Sequence, residues 1–218
     1  MNEKILMNEK INQETILLIM NCKKYRNKAL LQKQTWIKDL SKELIYFHVI
    51  AHPDLVENYI FNFEEMLLIV RTEDDYINLP NKVIAAYKAI NETFNFKYIY
   101  KTDDDQKVVN INFFDKLTKY LRKNGNNYGG FVINITEPQL STYNLIHDEL
   151  PKNLVLHATK YCSGRFYFLS KNAAVNLLTK QIEINCEYLE DYSTGYYLDV
   201  EFKKNMLFLD TSINFKDF

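Results

Sequence analysis

The chain has 218 residues, 47% of them hydrophobic, with only 5 glycines and 4 prolines, which suits one compact domain with a substantial core. Its 27 basic and 28 acidic residues give a formal net charge of −1. That balance excludes the strongly basic surface by which nucleic acids and acidic membranes are bound, so we expect no nucleic-acid partner.

Short apolar runs alternate with segments of helical period over the first part of the chain. Residues 16–20, 44–50, 66–70 and 97–100 predict strands, and residues 27–36, 54–63, 81–90 and 111–122 predict helices. Gly125 ends the last of these helices. Strands rich in Ile and Tyr that alternate with helices are typical of an α/β sheet of largely parallel strands.

Beyond Gly130 the pattern is less regular. Residues 133–153 contain two prolines and mixed polarity, which predicts a long loop over the sheet, and loops of this length in a compact domain are usually functional. A strand at residues 165–169 and a helix at 172–180 follow. No repeat, linker or low-complexity tract divides the sequence, so we predict one domain over residues 1–218.

The three cysteines, Cys22, Cys162 and Cys186, are odd in number and widely spaced, which excludes a complete set of internal disulfides and a CxxC zinc site. The apolar run at residues 15–20 is far too short to span a bilayer and lacks the layout of a secretory signal. We therefore expect a cytoplasmic or otherwise soluble protein. The abundance of Asn, Lys, Ile and Tyr, whose codons are AT-rich, favours a virus or microbe with an AT-rich genome as the source.

The most informative segment is Lys101-Thr102-Asp103-Asp104-Asp105, which directly follows a predicted strand. Three consecutive carboxylates repel one another unless a cation lies among them, and a divalent metal that carries a diphosphate would supply that cation. An exposed acidic turn is the alternative, whereas an EF-hand loop lacks its glycine and distal glutamate here. Ligands of open α/β sheets bind beyond the carboxyl ends of the strands, where this segment is predicted to lie.

Two later clusters are candidates for the same site. Gly164, in Lys160-Tyr161-Cys162-Ser163-Gly164, precedes a predicted strand and either lets the backbone approach a ligand closely or is an ordinary turn glycine. Glu190 and Asp191 lie at a predicted helix N-terminus. They either cap that helix or place a carboxylate where it can act as a base on an incoming hydroxyl.

Five segments carry a more specific signal through their order and spacing. They are Lys33-Gln34-Thr35-Trp36; Asp74, Tyr76, Asn78, Leu79 and Lys82; Lys101 to Asp105 with Asn110; Tyr161-Cys162-Ser163-Gly164 with Tyr167 and Ser170; and Glu190-Asp191 with Gly195. Over roughly residues 15–200 they resemble the motifs of the β-1,3-galactosyltransferase, N-acetylglucosaminyltransferase and Fringe group, glycosyltransferase family 31. Three departures stand out: Pro80 replaces a usual Thr, Asn110 lies one residue late, and no His follows Asp191 to act as the group's further metal ligand.

The resemblance implies a single-domain GT-A-type, Rossmann-like α/β fold with a mixed, mostly parallel sheet flanked by helices. A nucleotide-sugar-binding half is expected at about residues 15–130 and an acceptor and catalytic half at about 131–218. The implied activity is inverting, metal-dependent transfer of a hexose or N-acetylhexosamine from a UDP-sugar to a hydroxyl of a glycan or glycoprotein, with a β-1,3 linkage.

Two alternatives to this activity stay open. The missing His is compatible with a catalytically inactive relative that binds a nucleotide sugar or a glycan as a scaffold. An unrelated metal-dependent phosphotransfer or nucleotidyl enzyme would share only the acidic triplet, and the lack of a GxxxxGK[ST] loop counts against the common form of that alternative.

The resemblance also assigns roles to individual residues. It implies Asp191 as the catalytic base, and Asp105 and Asp103 as ligands of Mn²⁺ or Mg²⁺, cations that favour oxygen ligands. Asp210 is the candidate substitute for the missing His. The expected donor-binding residues are Asp104, Lys101, Asp74, Lys82 and Lys33, and those of the sugar and acceptor pocket are Gly164, Ser163, Tyr167 and Glu190.

Overall fold

An eight-stranded sheet lies at the centre of the structure, a computed structural model in which residues 9–218 are described. Residues 1–8, which the single-domain prediction also covered, lie outside that range. The strands are β1 (Ile11–Asn12), β2 (Thr15–Met20), β3 (Leu44–Ala51), β4 (Tyr59–Asn62), β5 (Leu67–Val70), β6 (Phe94–Asn95), β7 (Tyr98–Asp103), β8 (Gln106–Val108), β9 (Tyr128–Ile135), β10 (Gln139–Leu140), β11 (Val155–Leu156), β12 (Thr159–Ser170), β13 (Leu207–Phe208) and β14 (Phe215–Asp217). The helices are α1 (Arg26–Gln34), α2 (Leu79–Thr93), α3 (Phe113–Asn124), α4 (Lys171–Leu178), α5 (Gln181–Ile184), α6 (Glu190–Tyr197), α7 (Val200–Lys203) and α8 (Thr211–Asn214).

The order of strands in the central sheet is β13-β9-β12-β7-β2-β3-β5-β4. The pairs β13/β9, β7/β2, β2/β3 and β3/β5 are parallel. The pairs β9/β12, β12/β7 and β5/β4 are antiparallel. The predicted α/β class, with a mixed and mostly parallel sheet, is therefore confirmed.

Strand β2 shows why this sheet carries helices on both faces. All six residues of Thr15–Met20 are buried. Their side chains alternate in direction, so that Ile16 and Leu18 pack into one core while Leu17 and Ile19 pack into the other. A strand that is buried on both faces has a continuous apolar sequence, which is the pattern of strands inside parallel sheets.

Helices α2 and α4 cover one face of the sheet, and α3 covers the other. Val83 of α2 and Leu177 of α4 belong to the first core, whereas Phe114 and Leu121 of α3 belong to the second. Helix α3 ends at Gly125 as predicted, with a φ of 67° that a residue without Cβ adopts at little cost. Within residues 9–218, no helix has the length and apolar character needed to span a membrane.

Strands β7 and β12 bring the predicted site segments to one edge of the sheet. Strand β7 continues past the predicted residues 97–100 and ends at Asp103, beside the end of β2. Because β12 is antiparallel and pairs Phe166 with Thr102, Gly164 lies beyond the same end. Helix α6, which packs across β12, begins there with Glu190.

One predicted helix is wrong. Residues 54–63 form turns followed by β4, an edge strand antiparallel to β5. Tyr59 and Phe61 both pack against the first core, and that period of two, together with their aromatic side chains, favours a strand. The turn that leads into β5 contains Met66, which has a positive φ of 53°.

Two further boundaries differ from the predictions. Strand β12 begins at Thr159, so Gly164 lies inside a strand and not before one. At this place the pairing of β12 with β9 is irregular, between Cys162 and Tyr167. Such a bulge breaks the alternation of apolar residues, which conceals the strand in the sequence. Residues 133–135 belong to β9, and the predicted loop therefore begins at residue 136.

Gly195→Ala tests the packing of α6 on β12. A Cβ at Gly195 would overlap the Cβ of Tyr161 and would lie 2.6 Å from its Cα and 2.8 Å from the carbonyl oxygen of Lys160. We expect the free energy of unfolding to fall by about 1–3 kcal/mol, because this overpacking outweighs the higher helix propensity of Ala. The measurement is urea unfolding.

Gly125→Asn is the matched control for that experiment. The space around Gly125 is open, and Asn adopts its positive φ readily, so we expect a loss below about 1 kcal/mol. Equal stability of Gly195→Ala and wild type would contradict the close packing of α6 and β12.

Candidate active site

An open cleft of about 740 Å³ lies at the edge of the sheet where β7 ends. It is lined by most of the residues that the sequence predicts for the site: Asp74, Lys82, Lys101, Asp103, Asp104, Asp105, Ser163, Gly164, Glu190 and Asp191. Segments that are far apart in the sequence therefore meet at this cleft.

Three predicted site residues do not line the cleft. Lys33 Nζ donates to the carbonyl oxygen of Glu65 (2.6 Å). Tyr167 is fully buried in β12. Asp210 is the N-cap of α8, where its carboxylate accepts from the amide of Ser212 (3.1 Å). Tyr167 nevertheless contacts the site from beneath, since its hydroxyl donates to Glu190, whereas Lys33 and Asp210 have their partners elsewhere.

The three carboxylates of the acidic triplet have different surroundings. Asp103 Oδ1 is 2.7 Å from Lys101 Nζ. Asp104 is buried and accepts from Asn21 Nδ2 (2.8 Å) and Lys28 Nζ (3.1 Å). Asp105 is exposed at the cleft. Their repulsion is reduced because two of the three have a cationic partner within the protein.

Gln32, buried in α1, holds the backbone of this acidic turn. Its Nε2 donates to the carbonyl oxygens of Asp103 (3.2 Å) and Gln106 (3.0 Å), and Trp36 Nε1 donates to the same Gln106 oxygen (3.1 Å). With both amide hydrogens used, Gln32 Oε1 accepts from His48 Nε2, 2.9 Å away. Burial lowers the pKa of His48 to about 3, so its ring is neutral at physiological pH. Its single N–H is then the one on Nε2 that Gln32 Oε1 accepts.

Lys101 lies in the middle of the site and is 1% exposed. Its Nζ is 2.7 Å from Asp103 Oδ1, 2.8 Å from Glu190 Oε2 and 2.9 Å from the carbonyl oxygen of Gly164. Burial opposes its charge, but Asp103 and Glu190 outweigh burial and raise the pKa of Lys101. The other oxygen of Glu190 accepts from the Tyr167 hydroxyl, so both oxygens of Glu190 are occupied inside the protein.

Asp191, the second residue of α6, also lines the cleft. Its Oδ2 accepts from the amide of Gly164 (3.0 Å) and its Oδ1 from the amide of Tyr192 (2.7 Å). Burial, together with the charge of Glu190, raises the pKa of Asp191 to about 6. Burial also raises the pKa of Asp103 to about 6.

Gly164 lies close to both of these carboxylates. A Cβ at this position would lie 3.5 Å from Asp103 Oδ2 and 3.6 Å from Asp191 Oδ2. The two acids, one from β7 and one from α6, therefore flank the same point of the cleft.

Asp74 and Lys82 form an ion pair of 2.6 Å in the cleft wall. Asp74 also accepts from the amides of Lys23 (2.7 Å) and Ala51 (3.0 Å), and Lys82 donates to the carbonyl oxygen of Asn21 (2.9 Å). These contacts join the segments that follow β2 and β3 to α2. Their position indicates that the pair shapes the wall.

Asp217 is a neighbour of the acidic turn that the sequence analysis missed. Strand β14 pairs with β8, which places Asp217 opposite Gln106. Gln106 Nε2 donates to Asp217 Oδ1 and to Asp105 Oδ1, both at 2.8 Å, so the two carboxylates share one donor. Arg165 Nη2 also donates to Asp217 Oδ1 (3.0 Å).

The donor atoms of the cleft fit a hard divalent cation that a substrate phosphate also binds. Within residues 9–218, no three His, Cys, Asp or Glu side chains are grouped closely enough to enclose a metal ion. Mg²⁺ in phosphate-binding sites usually takes only one or two carboxylates and completes its shell with phosphate and water, and Mn²⁺ favours the same ligands. Asp103 and Asp105, both at the cleft, match that donor set.

Comparison with known proteins identifies the family. The sequence profile of the family described as Galactosyltransferase matches residues 28–203, which is most of the chain. The chain belongs to the galactosyltransferase family. The match to this family confirms the predicted galactosyltransferase-like character and includes the acidic triplet, Gly164 and Asp191. No protein with a curated description matches the chain in sequence.

Two solved glycosyltransferases are similar to this family member in fold. One, involved in the glycosylation of the major capsid of PBCV-1, has a TM-score of 0.52 and 13% identity, over 91% of this chain and 82% of that one. The other, GlyE of Streptococcus pneumoniae TIGR4, has a TM-score of 0.50 and 11% identity over 93% of this chain, which spans only 46% of the GlyE chain. The likeness confirms the predicted GT-A-type fold, and family and fold together support a glycosyltransferase.

Asp191→Asn tests the raised pKa of Asp191 through stability. Its carboxyl ionises near pH 6 in the folded protein and near its ordinary value of 3.8 in the unfolded chain. Folding therefore disfavours the ionised form, a cost that is absent below about pH 4 and complete above about pH 6. We expect Asp191→Asn to gain stability relative to wild type as the pH rises from about 4.5 to 7.5, by on the order of 1 kcal/mol in urea unfolding. A difference that is independent of pH would contradict the raised pKa.

Proposed function

We propose that this glycosyltransferase is an inverting, metal-dependent enzyme that transfers a hexose or N-acetylhexosamine from a UDP-sugar to a hydroxyl of a glycan or glycoprotein, with a β-1,3 linkage. The observation that carries the proposal is that Asp103 and Asp191 each place a carboxylate oxygen within 3.6 Å of the position that a Cβ at Gly164 would occupy. One acid belongs to the acidic turn, and the other is oriented by two backbone amides.

The nucleotide end of the cleft is the acidic turn and its cations. Lys28 contacts Asp104 at 3.1 Å, and Arg165 lines the cleft nearby. These side chains suit a diphosphate, which carries several negative charges. Asp105 and Asp103 are the residues that would hold Mn²⁺ or Mg²⁺. When bound, the cation would neutralise the negative charge that develops on the diphosphate leaving group.

Asp191 is the proposed base. A pKa of about 6 leaves its carboxylate ionised at neutral pH while making it a stronger proton acceptor than an ordinary Asp. It would take the proton of the acceptor hydroxyl as that oxygen attacks the anomeric carbon. The bond from the anomeric carbon to the diphosphate oxygen breaks, and its electron pair stays on the diphosphate. A single displacement of this kind inverts the configuration of the sugar.

Glu190 is not the base, although it is adjacent. Both of its oxygens are occupied, one by the Tyr167 hydroxyl and one by Lys101 Nζ, and its side chain is buried. Its role in the proposed mechanism is to hold Lys101, which in turn positions Asp103.

UDP release tests the proposed activity. Wild type is supplied with the UDP forms of galactose, glucose, N-acetylglucosamine and N-acetylgalactosamine, with Mn²⁺ or with a chelator. We expect metal-dependent release from one donor, and Asp191→Asn to slow transfer to an acceptor about 10²–10⁴-fold while UDP binding is retained. Asp115→Asn, on the exposed start of α3, is the control and should transfer at the wild-type rate.

The other outcomes of this experiment are equally informative. Wild type that neither releases nor binds UDP would refute the proposal. UDP binding without transfer to any acceptor would favour the inactive relative, and unchanged transfer by Asp191→Asn would exclude Asp191 as the base.

Asp217 is proposed to assist the cation in place of Asp210. Neither residue lines the cleft, but the carboxylate of Asp217 shares the Gln106 donor with Asp105, whereas that of Asp210 accepts from Ser212. We expect Asp217→Asn to weaken Mn²⁺ binding in the presence of UDP about tenfold or more, because groups next to a metal ligand typically contribute that much. Titration calorimetry measures this affinity, and Asp210→Asn is the matched control. The reverse order of the two variants would contradict the assignment.

A further inference from the structure

One wall of the cleft is aromatic. The rings of Tyr76 and His147 stack with centroids 3.9 Å apart and planes at 10°. Tyr143, Glu149 and Leu189 line the cleft with them, and we call these five residues the aromatic wall. Its two tyrosines and its leucine also belong to the small core beneath residues 136–154, so the wall is supported by packing.

The aromatic wall lies close to Asp191. Burial and the charge of Asp191 raise the pKa of Tyr76 to about 12, and the same two causes raise the pKa of Tyr143. Both phenols therefore stay protonated at neutral pH and can donate hydrogen bonds. The wall and Asp191 line the same cleft, and Leu189 of the wall lies two residues before Asp191 in the chain.

The aromatic wall offers little positive charge to an anion. Residues 143–149 contain no Lys or Arg. His147 stacks on Tyr76 and faces Glu149, with 3.9 Å between Nδ1 and Oε1. The Lys and Arg side chains that line the cleft belong to other segments and are Lys24, Lys28, Lys82, Lys101 and Arg165. An anionic group held against the wall would therefore meet Asp191 and Glu149, and the ammonium of Lys101, which lies near the same glycine as Asp191, is already paired with Asp103 and Glu190.

We propose that the aromatic wall is the acceptor subsite, and that it selects an uncharged sugar ring and rejects acceptors with a carboxylate beside the reacting hydroxyl. The inference rests on the proposed glycosyl transfer and adds the class of acceptor to it. A sugar ring has an apolar face that packs on an aromatic ring, and its hydroxyls accept from the phenols and donate to Glu149. Rejection of anions follows from like charges left unpaired in the cleft.

Matched acceptor pairs test this selectivity. The pairs are p-nitrophenyl β-glucoside with the glucuronide and p-nitrophenyl β-galactoside with the galacturonide, each at saturating UDP-sugar and Mn²⁺. We expect kcat/KM to be at least about 100-fold higher for the neutral member, and Glu149→Lys to reduce that ratio at least about tenfold because it supplies a cation. His147→Ala should raise KM for the neutral acceptor with little change in kcat, since it removes a binding surface and no reacting group.

Asp115→Lys is the control for Glu149→Lys, since it makes the same change of charge on the exposed start of α3. It should leave the ratio of kcat/KM between neutral and anionic acceptors unchanged. If no pair is turned over, saturation-transfer NMR with UDP- and Mn²⁺-saturated protein decides instead, and preferential binding of the neutral members supports the proposal. Equal use or binding of the uronides, no binding of any neutral member, or a ratio insensitive to Glu149→Lys would overturn it. Wild type that neither releases nor binds UDP would refute the proposed function itself.

Discussion

The arrangement of the site depends on the contacts of one buried ammonium group, that of Lys101. An unpaired charge in a protein interior costs several kcal/mol, so the ammonium has to be surrounded by acceptors. Those acceptors come from three elements, since Asp103 ends β7, Gly164 lies in β12 and Glu190 starts α6. One positive charge therefore fixes the acidic turn, the bulge and the start of α6 relative to one another. Burial raises the pKa values of Asp103 and Asp191, and the single charge of Lys101 offsets only part of that effect.

Much of the fold could be predicted from local pattern. The continuous apolar run of β2 and the helical period of α3, ended by Gly125, are local properties, and the structure confirms both. The order of five short motifs was sufficient to indicate the family, since the matched region, residues 28–203, contains all five of them. The helix prediction for residues 54–63 was wrong because an edge strand with two aromatic residues resembles an amphipathic helix when only apolar content is counted.

The contacts that complete the site could not be predicted in the same way. Gln32 of α1 reaches the carbonyls of the acidic turn across more than 70 residues of sequence, and its orientation is set by His48 of β3. Asp217 reaches Gln106 only because β14 pairs with β8, both strands of three residues. Short strands and buried amides leave no periodic signal, so their partners are decided by tertiary packing.

The position of β7 within the sheet makes the acidic turn more resistant to local unfolding than residues 136–154. Strand β7 is hydrogen-bonded to β2 and to β12, and five of its six residues are buried, so its amides exchange with solvent only when the whole sheet opens. Residues 136–154 are held by the two-residue ladder of β10 and β11 and by a small core, so we expect this segment to open at a lower free energy than β7. Substitutions in that segment can therefore accumulate without disturbing the acidic turn. Under the proposed function, a new acceptor preference would arise there while the acidic turn stays as it is.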